Sequence, residues 1–527
     1  MYENPDGVKI GLEVHVQLNK LRTKVFCGCT TDYHNDPPNS HVCPVCLGLP
    51  GAMPVINKKA VEAAIKVGLA LRCKIEEHTQ FYRKNYYYPD LPKGFQITQY
   101  DFPISSQGYI TIEGEGGEHT VRITRAHLEE DPGRLVHEGT IEKSKYTLID
   151  YNRSGMALLE VVSEPDLRSP KEARRYLDKL RNILEYLDVF DGNLEGALRV
   201  DANISIMGGQ RAEIKNISSH KGAERALLYE IVRQKNVLRR GGVVVLETRH
   251  FDEAREITLS MRSKEEAHDY RYFPEPDLVP LKISGWAPAI KETLPELPDA
   301  RRMRFVEQYG IMDDHAKALT SEIRLAEFYE DVAKRAAPKM AAVWICDVLK
   351  GELNYRDASF NVYKEPPNCW NCGKRMFLEN DRFNCACGAF RDKNNIFIIR
   401  TQKPETPERE LTSKDMLDIL DFLLNNKISE DGAVETIRAI LEKAIPKVPS
   451  KEKVSEIVKE KGLLKVEGNI VETAALEAIK ENPQAVADYR AGKEKALNSL
   501  VGAVMKKTKG RADARAAREV LLGKLGK

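Results

Sequence analysis

Apolar and polar residues alternate with a period of two through much of the first half of the chain. In Gly11-Leu-Glu-Val-His-Val-Gln-Leu, the apolar Leu12, Val14, Val16 and Leu18 are interleaved with Glu13, His15 and Gln17. That pattern predicts a strand with one buried face and one face carrying an acid, an imidazole and an amide. Similar short runs occupy residues 109–113, 120–128, 196–206 and 210–217, separated by Gly, Pro and Asp. Two segments follow the helical period instead: 58–71, and 170–187 with Ser169 placed as a cap and Pro170 in the first turn. The mixture predicts an α+β fold whose large first domain, residues 1–290, holds a mainly antiparallel sheet.

After Pro280 the pattern changes. Leu294-Pro-Glu-Leu-Pro-Asp marks a boundary, and from Ala300 the helical period dominates. This predicts a helical domain over residues 291–466, interrupted by an insert at about 364–400. Glu467-Gly468 opens a last small helical domain, 467–527. The chain shows neither a fixed-period repeat nor a low-complexity tract.

Composition narrows the function classes. Lys and Arg number 81 against 79 Asp and Glu, so contact with nucleic acid has to come from local patches rather than from overall charge. There is no apolar run of membrane-spanning length, and Met-Tyr-Glu-Asn-Pro-Asp has neither the basic region nor the apolar core of a signal peptide. A soluble cytoplasmic protein with no membrane partner is expected. Eight of the ten cysteines form two close-spaced foursomes, which without an export signal favours thiolate metal sites over disulfides. Cys27, Cys29, Cys43 and Cys46 form the first, with Gly28 and Pro44 supplying turn chemistry. Cys369, Cys372, Cys385 and Cys387 form the second and read as a zinc ribbon within the insert. Four thiolates close the coordination sphere, so both zinc sites are expected to be structural. Cys73 and Cys346 lie in apolar surroundings and read as core.

The polar faces carry the candidate chemistry. Arg125, His127 and Glu129 share one side of a strand, with Glu130 next to them. Glu160 is a single acid in the apolar run Leu158-Leu-Glu-Val-Val, where a carboxylate is costly unless a cation or hydrogen bonds take it up. Arg199, Asp201, Asn203 and Ser205 share another face, and Glu213 and Lys215 a further one. Gathered together, such faces would make a floor for Mg²⁺ and a nucleotide triphosphate; apart, they are ordinary solvated strand faces. No Walker-type Gly-x-x-x-x-Gly-Lys-Ser/Thr and no Gly-x-Ser-x-Gly occurs. The stretch from Phe81 to Gln96 interleaves aromatics with bases, which suits base stacking and equally suits a rigid loop over a core.

Several of these stretches are similar to a known family. Gly11-Leu-Glu-Val-His-Val-Gln-Leu, Arg83-Lys-Asn-Tyr-Tyr-Tyr-Pro-Asp, Arg125-Ala-His-Leu-Glu-Glu-Asp, Leu159-Glu-Val-Val-Ser-Glu-Pro-Asp, Leu198-Arg-Val-Asp-Ala-Asn-Ile-Ser and Asp269-Tyr-Arg-Tyr-Phe-Pro-Glu-Pro-Asp resemble the B subunit (GatB) of the aspartyl/glutamyl-tRNA(Asn/Gln) amidotransferases. The likeness runs through to Asp488-Tyr-Arg-Ala-Gly-Lys and Met505-Lys-Lys-Thr-Lys-Gly. It implies a cradle domain, a helical domain and a small tail domain that touches the tRNA body. It also implies an ATP- and Mg²⁺-dependent phosphorylation of the side-chain carboxylate in Asp-tRNA(Asn) or Glu-tRNA(Gln), followed by amidation. The ammonia would come from an amidase, GatA, with the small GatC bracing the pair.

By motif position, the family's metal-site and catalytic residues fall on Glu13, His15, Glu129, Glu130 and Glu160. Lys84, Arg199, Asp201, Asn203 and Lys215 become candidates for ATP or acyl-phosphate contacts, and the basic Lys506, Lys507, Lys509 and Arg511 for the tRNA. Two features depart from the family pattern: the second cysteine foursome, and Ala197 where a serine is expected. Two other readings compete. One is the tRNA-binding subunit of the archaeal Glu-tRNA(Gln)-specific amidotransferase, whose larger synthetase-like insertion is not seen here. The other is a non-catalytic, zinc-stapled tRNA-binding scaffold.

Overall fold

The structure is a computed structural model that describes residues 4, 6–34, 36–137, 146–192, 194, 196–263, 270–355, 377–379, 382–384, 390–392, 411–442, 454–465, 468–508, 511–512 and 514–526. It divides into two compact units, Met1–Pro298 and Asp299–Lys527.

Among the described residues, the first unit is built on a nine-stranded sheet. From edge to edge its strands are Ile257–Ser263, Glu247–Asp252, Ala212–Ile217, Leu198–Ser205, Lys9–Gln17, Ala157–Ser163, Gly117–Glu130, Ser105–Gly114 and Lys74–Ile75. All neighbours are antiparallel except Ala212–Ile217 with Glu247–Asp252, a parallel pair joined by the helix His220–Arg239. This is the mainly antiparallel α+β arrangement that the alternating runs predict. The 120–128 run proves to be part of a longer strand, Gly117–Glu130, which turns back on Ser105–Gly114 so that Gly114 faces Gly117. Its first residues are polar on both faces, which hid them from a period-two reading.

Lys9–Gln17 is the middle strand. Ile10, Leu12, Val14 and Val16 are completely buried, as the alternation requires. Onto this apolar side fold three helices, Lys58–Ala70, Pro170–Tyr186 and His220–Arg239, which contribute Val61, Ile65, Tyr176, Leu177, Leu180 and Leu227 to the same core. Each such aliphatic side chain contributes about 1.5–3 kcal/mol on burial. The second helix starts where Ser169 Oγ accepts from Glu172 N at 3.2 Å, while Glu172 Oε2 accepts from Arg168 N at 2.8 Å. With one face of the sheet covered by helices, its polar residues collect on the other.

The second unit is mainly helical. Helices including Pro298–Tyr309, Ile323–Ala333, Ser413–Leu424 and Glu430–Glu442 share a core of Phe305, Phe328, Tyr329, Ile419 and Ile437. The last four helices, Gly468–Glu481, Pro483–Arg490, Lys495–Lys507 and Ala514–Leu525, enclose a core of their own around Leu497, Leu500, Val504 and Leu521. Three short strands, Phe377–Glu379, Arg382–Asn384 and Phe390–Asp392, pair antiparallel within the insert. Cys369, Cys372, Cys385 and Cys387 lie outside the described residues. No helix among the described residues is long and apolar enough to cross a membrane.

Candidate active site on the polar face of the sheet

Strand register aligns His127, Glu160, His15 and Arg199 directly opposite one another across four consecutive strands. Glu129, two residues beyond His127, completes a compact group. His15 Nδ1 stands 3.3 Å from Glu129 Oε1, and His127 Nε2 stands 3.2 Å from Glu160 Oε2. One ligand atom each from His15, Glu129 and Glu160 lies within 4.8 Å of the others. Glu129 is 3 % exposed and Glu160 8 %, so neither carboxylate is stabilised by bulk water.

Burial works against the charge of Glu160, but His127, His15 and Lys84 overcome it and hold the acid well below the usual carboxylate range. Glu129 is lowered in the same way: burial and Glu160 oppose its charge, while His15 and Lys84 favour it. For His15, burial opposes protonation, yet the contact with Glu129 and the fields of Glu160 and Asp201 lift it to about 9. Among the described residues, Arg125 Nε, His127 Nδ1 and Arg199 Nε are buried with no hydrogen-bond partner. Buried polar atoms of this kind on a polar face are open to a ligand.

A second acidic group adjoins the first. Glu13, Asp201 and Glu213 each bring one oxygen within 4.8 Å of the others. It carries its own cation, because Lys215 Nζ reaches Asp201 Oδ2 at 3.1 Å and Glu213 Oε1 at 3.5 Å. Asn203 Nδ2 donates to Glu13 Oε1 at 2.9 Å, and Thr248 Oγ1 donates to Glu213 Oε2 at 3.1 Å. The five residues expected to share one metal are therefore distributed over three places. His15, Glu129 and Glu160 meet, and Glu13 joins Asp201 and Glu213. Glu130, one residue on from Glu129, points the other way to accept from Lys93 and from Ile97 N. Adjacent residues on a strand face opposite sides.

Lys84 lies on the strand Tyr82–Asn85, which pairs with Phe95–Thr98 and Phe273–Pro274. Its ammonium stands 4.9 Å over the Tyr270 ring and 5.7 Å over that of Tyr86. Tyr270 also contacts Tyr272, which stacks on Tyr100 at 4.2 Å, so a row of tyrosines lines this flank. Burial and the nearby Glu129 raise the phenols of both Tyr86 and Tyr272. Arg83 faces away and grips the buried Glu275 with two hydrogen bonds of 2.7 and 2.8 Å, fixing the 273–277 segment. The aromatic-basic stretch thus forms a fixed segment over the sheet, with Arg83 as its staple and Lys84 brought to the acids.

The first cysteine foursome also comes together, with one sulfur from each of Cys27, Cys29, Cys43 and Cys46 within 4.8 Å of the rest. Cys43 and Cys46 are 3.8 Å apart, close to the roughly 3.8 Å edge of a tetrahedron with zinc–sulfur bonds of about 2.3 Å. Contact with Cys27 draws the Cys46 thiol down to about 4, assisted by the charge of Lys24. Lys24 is wholly buried; its Nζ donates to His41 O at 2.9 Å and stands 3.7 Å from Cys46 Sγ. A zinc ion with four thiolates carries net negative charge, and a buried ammonium beside it suits that charge. The donor set fits zinc. Sequence reasoning missed both Lys24 and Asp131, which holds Arg199 Nη2 at 2.6 Å and Gln17 Nε2 at 2.7 Å. The available signal for Asp131 was its place after Glu129-Glu130, where the strand gives way to Pro132-Gly133.

The sequence matches the GatB/GatE catalytic domain over residues 8–287 and the GatB domain over residues 396–525. It is 62 % identical over 525 residues to the B subunit of the aspartyl/glutamyl-tRNA(Asn/Gln) amidotransferase of Methanococcoides burtonii, covering 100 % of this chain and 99 % of that protein. The protein of the same name from Methanosarcina mazei is 62 % identical over 526 residues with the same coverage. That of Methanospirillum hungatei is 51 % identical over 504 residues, covering 96 % of this chain and 95 % of its own length. The chain belongs to the GatB family.

In this GatB-family chain the tail places its basic residues unevenly. Lys506 is exposed. Lys507 is bound to Glu477 at 3.0 Å and Glu481 at 2.8 Å, and Arg511 Nε donates to Thr508 O at 3.2 Å, closing the end of its helix. Lys509 lies outside the described residues. The acids that engage Lys507 come from the helix Gly468–Glu481, outside the short stretch in which bases outnumber acids.

Proposed function

We propose that this chain is the GatB component of a tRNA-dependent amidotransferase. It uses ATP to phosphorylate the side-chain carboxylate of Asp on tRNA(Asn) or Glu on tRNA(Gln), and ammonia then displaces the phosphate. The products are Asn-tRNA(Asn) or Gln-tRNA(Gln), with ADP and phosphate. Ammonia comes from the amidase GatA, and the small GatC completes a heterotrimer.

The observation that carries this reading is the group His15, Glu129 and Glu160, flanked by Lys84 and by Arg199. A carboxylate is a poor electrophile, and bringing it to a triphosphate sets anion against anion. Lys84 and Arg199 supply cationic donors for phosphate oxygens, Arg199 through a planar fork and Lys84 as a point charge. His15, Glu129 and Glu160 would hold Mg²⁺, which when bound offsets charge between the carboxylate and the phosphates. Glu129 and Glu160 are kept ionised for that purpose by their neighbours. To act as a ligand, His15 would have to give up the proton that Glu129 and Glu160 favour on it. Asp201, Asn203 and Lys215, with Glu13 beside them, extend the polar floor for the nucleotide or acyl phosphate. Cys27, Cys29, Cys43 and Cys46 hold a structural Zn²⁺, and the tail helices contact the body of the tRNA.

The test is amidation by the complex reconstituted from all three components, given Asp-tRNA(Asn) and Glu-tRNA(Gln) side by side with ATP omitted as control. ATP-dependent formation of amidated aminoacyl-tRNA is expected. Amidation of Glu-tRNA(Gln) alone would favour the archaeal Glu-specific reading, and tRNA binding without ATP turnover would favour the scaffold.

A further inference from the structure

Arg199 lies directly opposite His15, and its guanidinium is held from one side. Nη2 donates to Asp131 Oδ1 at 2.6 Å, while Nε is buried without a partner among the described residues. A guanidinium is rigid and planar, so fixing one nitrogen fixes where the others aim. Both carboxylate oxygens of Asp131 are already engaged, and the side chain is shut off from solvent. It is 1 % exposed, its Oδ2 accepts from Gln17 Nε2 at 2.7 Å, and Arg153 Nε approaches Oδ1 at 3.7 Å.

The main chain of Asp131 is fastened too: its N donates to Met156 O and its O accepts from Gly155 N, both at 2.9 Å. Gly155 adopts φ 82°, a conformation that side chains disfavour, and this turn presents its N–H to Asp131. The same turn is bound to the cysteine knuckle. Val25 N donates to Gly155 O at 3.0 Å, Ser154 Oγ donates to Cys46 O at 3.2 Å, and Asn152 Oδ1 accepts from His41 N at 2.8 Å. An unbroken set of hydrogen bonds therefore runs from the knuckle, through Gly155 and Asp131, to Arg199.

We propose that Asp131 is a positioning residue. It clamps Arg199 so that the free edge of the guanidinium receives a phosphate oxygen of the nucleotide or acyl phosphate, with the cysteine knuckle as the frame behind it. This rests on reading the polar face as an ATP-dependent site.

The experiment is a double-mutant cycle in the reconstituted heterotrimer, with Asp131→Asn, Arg199→Ala and the pair together. Asparagine keeps the shape and a hydrogen bond for Gln17 but removes the charge that orients the guanidinium. Asp131→Asn alone should raise KM for ATP by about tenfold with a smaller change in kcat. In the Arg199→Ala background the same change should alter KM by less than about twofold. Equal factors in the two backgrounds, or no rise in KM for the single variant, would overturn the proposal. Should Asp131→Asn fail to fold, judged by melting temperature and zinc content, Arg199→Ala alone still decides. Millimolar guanidinium should restore its low KM and methylammonium should not, because the carboxylate remains as a seat; no rescue by guanidinium overturns the clamp. If Arg199→Ala leaves ATP-dependent amidation unchanged, the reading of the polar face fails as well. An additive loss defeats the clamp alone.

Discussion

The sheet of the first unit and the helical tail of the second treat charge in opposite ways. On the sheet, Glu129 and Glu160 are buried, and each has an imidazole 3.2–3.3 Å away. In the tail, Lys507 and Lys524 on helices and Lys493 in a connecting turn pair with the exposed or half-exposed acids Glu477, Glu472 and Asp488. Solvent-exposed pairs are worth about 0–1 kcal/mol and rearrange readily when a phosphate approaches. Buried acids cannot exchange partners with water, so their arrangement is a standing demand for a cation. Charge count marks the tail as the notable region. Burial marks the sheet.

The sharpest way to break this contrast is Glu129→Gln. ATP-dependent amidation should fall by roughly 10³-fold while tRNA affinity stays within about twofold, as measured by product formation and filter binding. Unchanged amidation would make the buried acids mere scaffolding. Next comes Lys24→Met, which leaves the cysteine cluster without its buried ammonium. Removing one partner from a buried charged assembly costs about 3 kcal/mol, seen as a lower melting temperature and faster zinc release to a chelator. Stability equal to that of the parent protein would show that the cluster does not need the charge.

A smaller effect is expected from ending the chain at Lys465, which removes the four tail helices with their separate core. Affinity for tRNA should drop by about tenfold at low salt, and the dependence on salt should flatten. Lys506→Ala alone should reduce the salt slope by about one. Identical affinity and slope would remove the tail from the interface.

The mildest test lies in the helical core of the second unit. Burial would raise the Glu330 carboxyl, but Arg304 and Arg301, both at 2.8 Å, hold it at about 2 against an ordinary 4.5. A depressed carboxylate stabilises the fold above its unfolded value and ceases to do so as pH falls through its folded value. Glu330→Gln should therefore lower the melting temperature by a constant amount above pH 4.5, the gap closing between 4.5 and about 2. A gap that persists at the acid end would point to lost packing rather than lost charge.

Much of the architecture could be read from residue order. Leu12, Val14 and Val16 are buried because strand geometry places every second side chain on one face, and the Ser169 cap is satisfied within three residues. The four cysteines of the first knuckle were legible because two close pairs imply their own turns. The family motifs carried His15, Glu129 and Glu160 further than periodicity could. Lys507 shows the opposite case: its partners Glu477 and Glu481 lie about two helices back in the chain, so a local tally of bases misread its surroundings.

By itself the sequence determined which residues alternate, which turns form, where helices begin and which family the chain resembles, since each depends on neighbours a few positions apart. Only the tertiary structure decided that Glu13 stands with Asp201 and Glu213 while His15 stands with Glu129 and Glu160. It alone also gave Asp131 to Arg199, and Lys24 to Cys46. Those pairings are set by register between strands and by packing between segments as much as 200 residues apart, as Glu13 and Glu213 are. Register is a cooperative property of the whole sheet, and no single strand contains it.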